Sequence, residues 1–193
     1  MNLILNLAQT STMHLQPNKN IRIERYADLS ETDLNTISQQ VNEIYLDEEK
    51  GIWPTDGTYE RTNRENLIQS AKSGELIVAF NGNKPVATIK VYNIDLKWYF
   101  GMLTTFYGHR KKGIAKLLIN YVETFLKKNK VEELHIELLF SPTLEMPHKH
   151  SLKKWYQNLG YKYVKTLKFT DVNPEKKTIM RHDCVFEILK KDL

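Results

Sequence analysis

Three cations and a glycine crowd into one turn, Arg110-Lys111-Lys112-Gly113, with Ile114, Ala115 and Lys116 directly after. Where a turn of this kind opens a helix, the first helical N–H groups have no carbonyl partner and point at whatever sits there. The residue types select an anion, and the reading is a pyrophosphate. A second group lies between Asp47 and Gly57, where Trp53 stands among Asp47, Glu48, Glu49 and Asp56, followed by Tyr59 and Arg61. His148 and His150 occupy a proline-containing loop and titrate near neutrality. His135 and His182 lack partners at ligand spacing, so no metal site is expected. The single cysteine, Cys184, offers neither a disulfide nor a thiolate cluster. It reads as a small buried apolar residue.

These groups need a frame, and the turn supplies its own. Ahead of it Trp98, Tyr99, Phe100, Met102 and Leu103 form an apolar run with little alternation, as in a strand covered on both faces. Behind it Ile114, Leu117, Leu118, Tyr121, Val122, Phe125 and Leu126 fall on one face of a helix. Ile21–Tyr26 alternates as a first strand, and Ser30 with Asp33 resembles a capping box before the stripe Leu34, Ile37, Val41, Ile44, Tyr45. A polar helix is expected from about Tyr59 to Ser73. Asn81-Gly82 between two β-rich runs predicts a hairpin. Strands at Leu134–Phe140, Tyr161–Phe169 and Asp183–Leu189, and a short helix through Leu152–Leu159 ended by Gly160, complete the order β-α-α-β-β-β-α-β-α-β-β. Asp171–Arg181 reads as a polar loop. A helix between the fourth and fifth strands implies that these two run parallel.

The chain has 193 residues, 41% of them hydrophobic and 26% charged, which suits one domain with a proper core. Residues 1–19 read as a tail and 20–193 as the domain. The apolar patch Leu3–Ala8 is too short to span a membrane and lacks the layout of a secretory signal. With one cysteine, this points to a reducing, cytoplasmic setting. The net charge of +5 suits an anionic ligand. No aromatic RNA-binding signature or zinc-finger spacing accompanies it, which argues against nucleic acid.

Arg110-x-x-Gly113-x-Ala115, together with Tyr156-Gln157-Asn158-Leu159-Gly160-Tyr161, resembles the GNAT superfamily of acyl-CoA-dependent N-acyltransferases. Its phosphate turn is Gln/Arg-x-x-Gly-x-Gly/Ala, and its later helix-to-strand signature is Tyr-x-x-Leu-Gly-Phe. Both motifs occur in the right order on the right elements, and the resemblance runs from about Ile21 to Leu189. It implies a single α/β (α+β) domain with a mixed sheet of about 6–7 strands, splayed between strands 4 and 5 and flanked by about four helices.

The resemblance further implies acetyl-CoA as donor. Arg110, Lys111, Lys112, Gly113, Ile114, Ala115 and Lys116 would hold its pyrophosphate, while Leu103, Thr104 and Thr105 would pair with the pantetheine amides. Tyr156 matches the family tyrosine that protonates the departing thiolate, and its place on an apolar row also makes it a core aromatic. Lys149 stands where the family often has asparagine; an ammonium can reach CoA oxygens but lacks an amide's paired donor and acceptor. Glu137, interrupting an apolar strand beside the splay, is the first choice for general base, the other reading being a strand glutamate in a salt bridge. Trp53, Tyr59 and Arg61 fall where the family commonly builds its acceptor site, and the neighbouring acidic residues would attract a cation. The expected enzyme moves an acetyl group to a primary amine on a small cationic or amino-acid-like molecule, without metal, as a monomer or homodimer. The alternatives are a protein or peptide amine as acceptor, or a silent acyl-CoA sensor.

Overall fold

The computed structural model describes residues 20–25 and 27–193, so the expected tail 1–19 and Tyr26 of the first strand lie outside the described residues. The elements are β1 (Ile21–Arg25), α1 (Glu31–Glu48), α2 (Arg64–Lys72), β2 (Leu76–Asn81), β3 (Lys84–Ile94), β4 (Lys97–Thr105), α3 (Ile114–Lys128), β5 (Glu133–Phe140), α4 (Pro147–Asn158), β6 (Lys162–Lys168), α5 (Phe169–Val172) and β7 (Val185–Asp192). The sheet has seven strands in the order β1-β2-β3-β4-β5-β7-β6. The chain divides into two compact units. The first takes the described residues up to Val41 with Thr62–Val91 and Met102–Thr124; the second takes Asn42–Arg61, Tyr92–Gly101 and Phe125–Leu193.

In the first unit, β1 pairs antiparallel with β2 and β2 with β3. Asn81 faces Lys84 across the two-residue loop Gly82-Asn83, with Gly82 at a φ of 59° that favours glycine. The β2–β3 register shifts between Ala79 and Phe80, opposite Pro85, which has no N–H for the ladder. The expected capping box opens α1: the Ser30 N–H donates to Asp33 Oδ2 at 3.0 Å and the Asp33 N–H to Ser30 Oγ at 3.2 Å. Behind it Leu34, Ile37 and Val41 are fully buried.

In the second unit, β4 runs parallel to β5, and β7 lies antiparallel between β5 and β6. Gly160, at a φ of 98°, closes α4; its N–H donates to the Gln157 carbonyl and that of Tyr161 to Tyr156. Two expectations need correction. The helix placed at Tyr59–Ser73 begins only at Arg64, because the Asn63 side chain caps it by accepting from the Asn66 N–H, while Tyr59 lies flat on Trp53. The strand expected to end at Phe169 ends at Lys168, and Phe169 opens the short helix α5, which runs into the segment expected as a polar loop; Phe169 is buried against Trp53 and Phe186. No helix among the described residues is long and apolar enough to cross a membrane.

Candidate active site

The basic turn belongs to the first unit. Gly108, Lys111 and Gly113 all take positive φ, of 78°, 62° and 77°. A peptide run that alternates in this way gathers successive N–H groups into a concavity for anions. Lysine in this region costs about 1 kcal/mol that glycine would not, strain of the kind found at ligand sites. The Leu117 N–H donates to the Gly113 carbonyl. That starts α3 and leaves the N–H groups of Ile114, Ala115 and Lys116 without carbonyls inside the helix. Arg110 lies over the Tyr107 ring at 5.0 Å, and Lys112 Nζ ties the loop by donating to the Gly108 carbonyl at 2.7 Å. The side chains of Arg110, Lys111, Lys112 and Lys116 are exposed. The donor set is therefore backbone N–H groups with cations around them, which fits a pyrophosphate. A side chain at Gly113 would meet nothing within 4 Å, so the glycine is required by its φ and not by crowding.

Leu103, Thr104 and Thr105 close β4. Just before them Met102 takes a φ of 49°, an irregularity that re-aims a strand. Thr88 Oγ1 and Thr104 Oγ1 both donate to the Met102 carbonyl, at 3.4 and 3.3 Å. The parallel register of β4 with β5 runs from Trp98 against Leu134 to Phe100 against Ile136, although β4 continues to Thr105 and β5 to Phe140. No sequence signal announced the left-handed methionine.

The remaining predicted residues lie in the second unit. Glu137 is half-buried in a β5 whose neighbours are buried. Its carboxylate makes no hydrogen bond or ion pair among the described residues. Burial holds its carboxyl above the usual range, against the opposing charge of Arg61. Two residues earlier His135 is buried, with Nδ1 at 3.2 Å from the Trp98 carbonyl. Burial pushes its imidazole down, so it packs as a neutral ring against Tyr99. Tyr156 is buried on α4, packed against Phe100, Trp155 and Tyr161. Burial raises its phenol well above the ordinary value, so its proton stays on oxygen at working pH. Both readings of Tyr156 survive, since a ring packed in the core still carries a hydroxyl.

Lys149 and Tyr156 are the buried residues of α4, and their spacing puts them on one face. Lys149 Nζ donates to Glu49 Oε1 at 2.8 Å, and Glu49 Oε2 accepts from Trp53 Nε1 at 2.5 Å. Burial would raise the Glu49 carboxyl, but the charges of Lys149 and Arg61 and these two hydrogen bonds outweigh it and hold it below the usual range. The ammonium expected to reach CoA oxygens is thus engaged by a carboxylate a hundred residues earlier. Trp53 is buried with its ring stacked on Tyr59, centroids 4.1 Å apart and planes within 1°. The Tyr59 hydroxyl is buried with no hydrogen-bond partner among the described residues. Arg61 is half-buried; its N–H donates to Asn42 Oδ1 at 2.6 Å and its guanidinium lies over the Tyr45 ring at 4.7 Å. A Cβ placed on Gly101 would stand 3.5 Å from the Tyr92 hydroxyl oxygen and 3.9 Å from Arg61 Nη2. Tyr92 and Arg61 therefore converge over the β4 backbone just before Met102.

The acidic edge expected to draw in a cation is largely spent. Glu49 is paired, and Glu48 faces His148 Nε2 at 3.6 Å. His150 lies against the Phe140 ring, and His182 Nδ1 is 3.3 Å from Thr143 Oγ1. Burial, reinforced by the charges of Glu49 and Asp183, pushes the Cys184 thiol up to about 12, which makes it a poor nucleophile. Among the described residues no three His, Cys, Asp or Glu side chains group as metal ligands.

Comparison with known proteins agrees with this geometry. A profile of the acetyltransferase (GNAT) family matches residues 38–161, well over half of the chain. No curated protein matches. Among solved structures, the chain is similar to the PaiA N-acetyltransferase from Thermoplasma acidophilum in complex with coenzyme A, at 17% identity and a TM-score of 0.64, covering 90% of this chain and 99% of that one. It is similar also to a GNAT family acetyltransferase from Elizabethkingia anophelis with acetyl-CoA bound, at 18% and 0.57, covering 90% and 99%. A third is an aminoglycoside 6'-N-acetyltransferase complexed with coenzyme A, at 14% and 0.62, covering 88% and 96%. The chain belongs to the acetyltransferase (GNAT) family. It is an acyl-CoA-dependent N-acetyltransferase.

Proposed function

We propose that the enzyme transfers the acetyl group of acetyl-CoA directly to the primary amine of a small molecule. The observation that carries this reading is Glu137, a half-buried carboxylate with no partner and a raised proton affinity, on the strand whose registered pairing with β4 stops one residue earlier. A carboxylate in that state is suited to take a proton from the acceptor nitrogen as it attacks. The acceptor's ammonium first loses one proton to solvent; the neutral amine nitrogen then attacks the thioester carbon, the N–C bond forms and the C–S bond breaks. Glu137 takes the proton lost by nitrogen, and Tyr156 gives its hydroxyl proton to the departing sulfur, regaining one from solvent. Backbone N–H groups near Leu103–Thr105 stabilise the oxyanion that develops between these steps. The turn Arg110–Ala115 holds the pyrophosphate, with Lys111 and Lys116 adding charge. Lys149 acts at one remove: it balances Glu49 and so fixes the face of α4 that carries Tyr156. Aminoglycoside acetylation by a protein of similar fold supports a small-molecule acceptor. The lone buried thiol of Cys184 suits a cytoplasmic setting, and the enzyme would act there as a monomer or homodimer.

Calorimetric titration with acetyl-CoA tests the donor assignment. Wild-type protein binds it. Gly113→Asp, which puts a side chain at a φ of 77° and a negative charge beside the turn, lowers affinity at least about tenfold. Unchanged affinity in that variant removes the turn from the binding site.

A further inference from the structure

We infer that the acceptor carries a carboxylate as well as its amine, and that Arg61 binds that carboxylate; this rests on the acetyl-transfer reading above. Arg61 stays a cation at any working pH. It is half-buried over Tyr45, and among the described residues no carboxylate lies within ion-pair distance of it. The Tyr45, Tyr59 and Tyr92 side chains and, from farther off, the charge of Glu49 support the cation, but among the described residues its fork has no carboxylate partner.

The carboxylates of the same unit do not supply it. Glu49 is committed to Lys149 and Trp53. Glu48 faces His148. Glu137 is beyond ion-pair reach of Arg61 and is the proton acceptor. Glu49, held by Lys149, acts on Arg61 only from beyond ion-pair distance. Lys176 Nζ lies over the Tyr59 ring at 5.8 Å, and its ammonium is pushed down by burial and then by the charge of Arg61.

Geometry selects what the fork can hold. Arg61 Nη2 and the Tyr92 hydroxyl converge over Gly101, where even a Cβ would touch both, so the two donors face one point above the β4 backbone. A guanidinium fork takes a carboxylate by two parallel hydrogen bonds. The same molecule then presents its ammonium to Glu137, a cation at the carboxylate and an anion at the guanidinium. That is the pattern of an amino acid. A diamine would instead set a second ammonium against Arg61 and Lys176.

The test is thiol release from acetyl-CoA with matched acceptors: each common amino acid beside its carboxamide and its decarboxylated amine. The free acid of the preferred acceptor should exceed both in kcat/KM by about 30-fold or more, the size of a lost charge-assisted pair. Arg61→Gln, which keeps a stem over Tyr45, should erase that preference through KM with little change in kcat, and Arg61→Lys should retain part of it; melting curves confirm that both variants fold. Equal use of the carboxamide, or a preference that survives Arg61→Gln, overturns the inference. If no amine accelerates thiol release, the transfer reading fails separately. Titration with N-acetylated amino acids then judges Arg61: binding to wild type that is lost in Arg61→Gln supports the inference, and no binding, or binding that is unaffected, overturns it.

Discussion

Lys149→Met isolates the energetics of the buried pair beneath Tyr156. The substitution keeps the length of the stem and removes the charge. It leaves Glu49, 4% exposed, with the Trp53 hydrogen bond and the more distant charge of Arg61. Removing one partner of a buried pair costs about 3–5 kcal/mol. The remaining support puts this case at the low end, about 3 kcal/mol. For a domain of this size, each 1 kcal/mol lowers Tm by about 2–4 °C, so the variant should melt roughly 6–12 °C below wild type at pH 7. The pH dependence carries a sign of its own. In the wild type the Glu49 carboxyl is held below its unfolded value, so its stabilisation is present above that unfolded value and is lost as pH falls through the lowered folded value. In the variant burial acts without Lys149 and raises the carboxyl. The penalty is then full at neutral pH and relieved as pH falls into the carboxylate range. Thermal melts by circular dichroism across that range should show the two curves converging on acidification. Glu49→Gln with Lys149→Met should recover most of the loss at pH 7. A Lys149→Met variant melting within about 2 °C of wild type at pH 7, or a gap constant with pH, refutes the reasoning.

Glu137→Gln should lower kcat/KM by about 10²–10⁴ while acetyl-CoA affinity is kept. In the wild type kcat/KM rises with pH as Glu137 loses its proton, through a midpoint above the ordinary carboxylate range, and this limb should vanish in the variant; a persisting limb assigns it to another group. Tyr156→Phe keeps the ring packing on Phe100 and Tyr161, so it should cut kcat by about 10²-fold with unchanged Tm and acetyl-CoA affinity, as stopped-flow thiol detection and calorimetry would show. Unchanged turnover takes the tyrosine out of the mechanism.

What could be read from the chain was local. Ser30 with Asp33, the apolar stripe of α3 and Gly160 after α4 declared themselves because capping, periodicity and positive φ act within a few residues. The parallel β4–β5 pair followed from the helix between those strands. What stayed hidden depends on distant partners. Glu49 reads as one more surface acid in Asp47-Glu48-Glu49, yet it is buried by Lys149, far along the chain. Trp53 and Tyr59 stand among polar and acidic residues in the chain, and that their rings stack on each other and pack beside Phe169 and Phe186 shows only in the structure. Met102 takes a left-handed φ that its strand sequence does not announce, and the Thr88 and Thr104 hydroxyls donate to its carbonyl. That Arg61 has no carboxylate at ion-pair distance among the described residues emerges only from the structure, where Glu49 is seen to pair with Lys149 and Glu48 to face His148.

The central claim is transfer to an amine, and the balance of products tests it most directly. Wild-type protein, acetyl-CoA and the amine panel are incubated together, with free thiol measured by colour and acetylated amine by mass spectrometry. The account predicts one acetylated amine for each thiol released, at a rate set by the amine and lost in Glu137→Gln. Thiol appearing with free acetate, unchanged by any amine, would contradict it and leave a protein that binds acyl-CoA without passing the acyl group on.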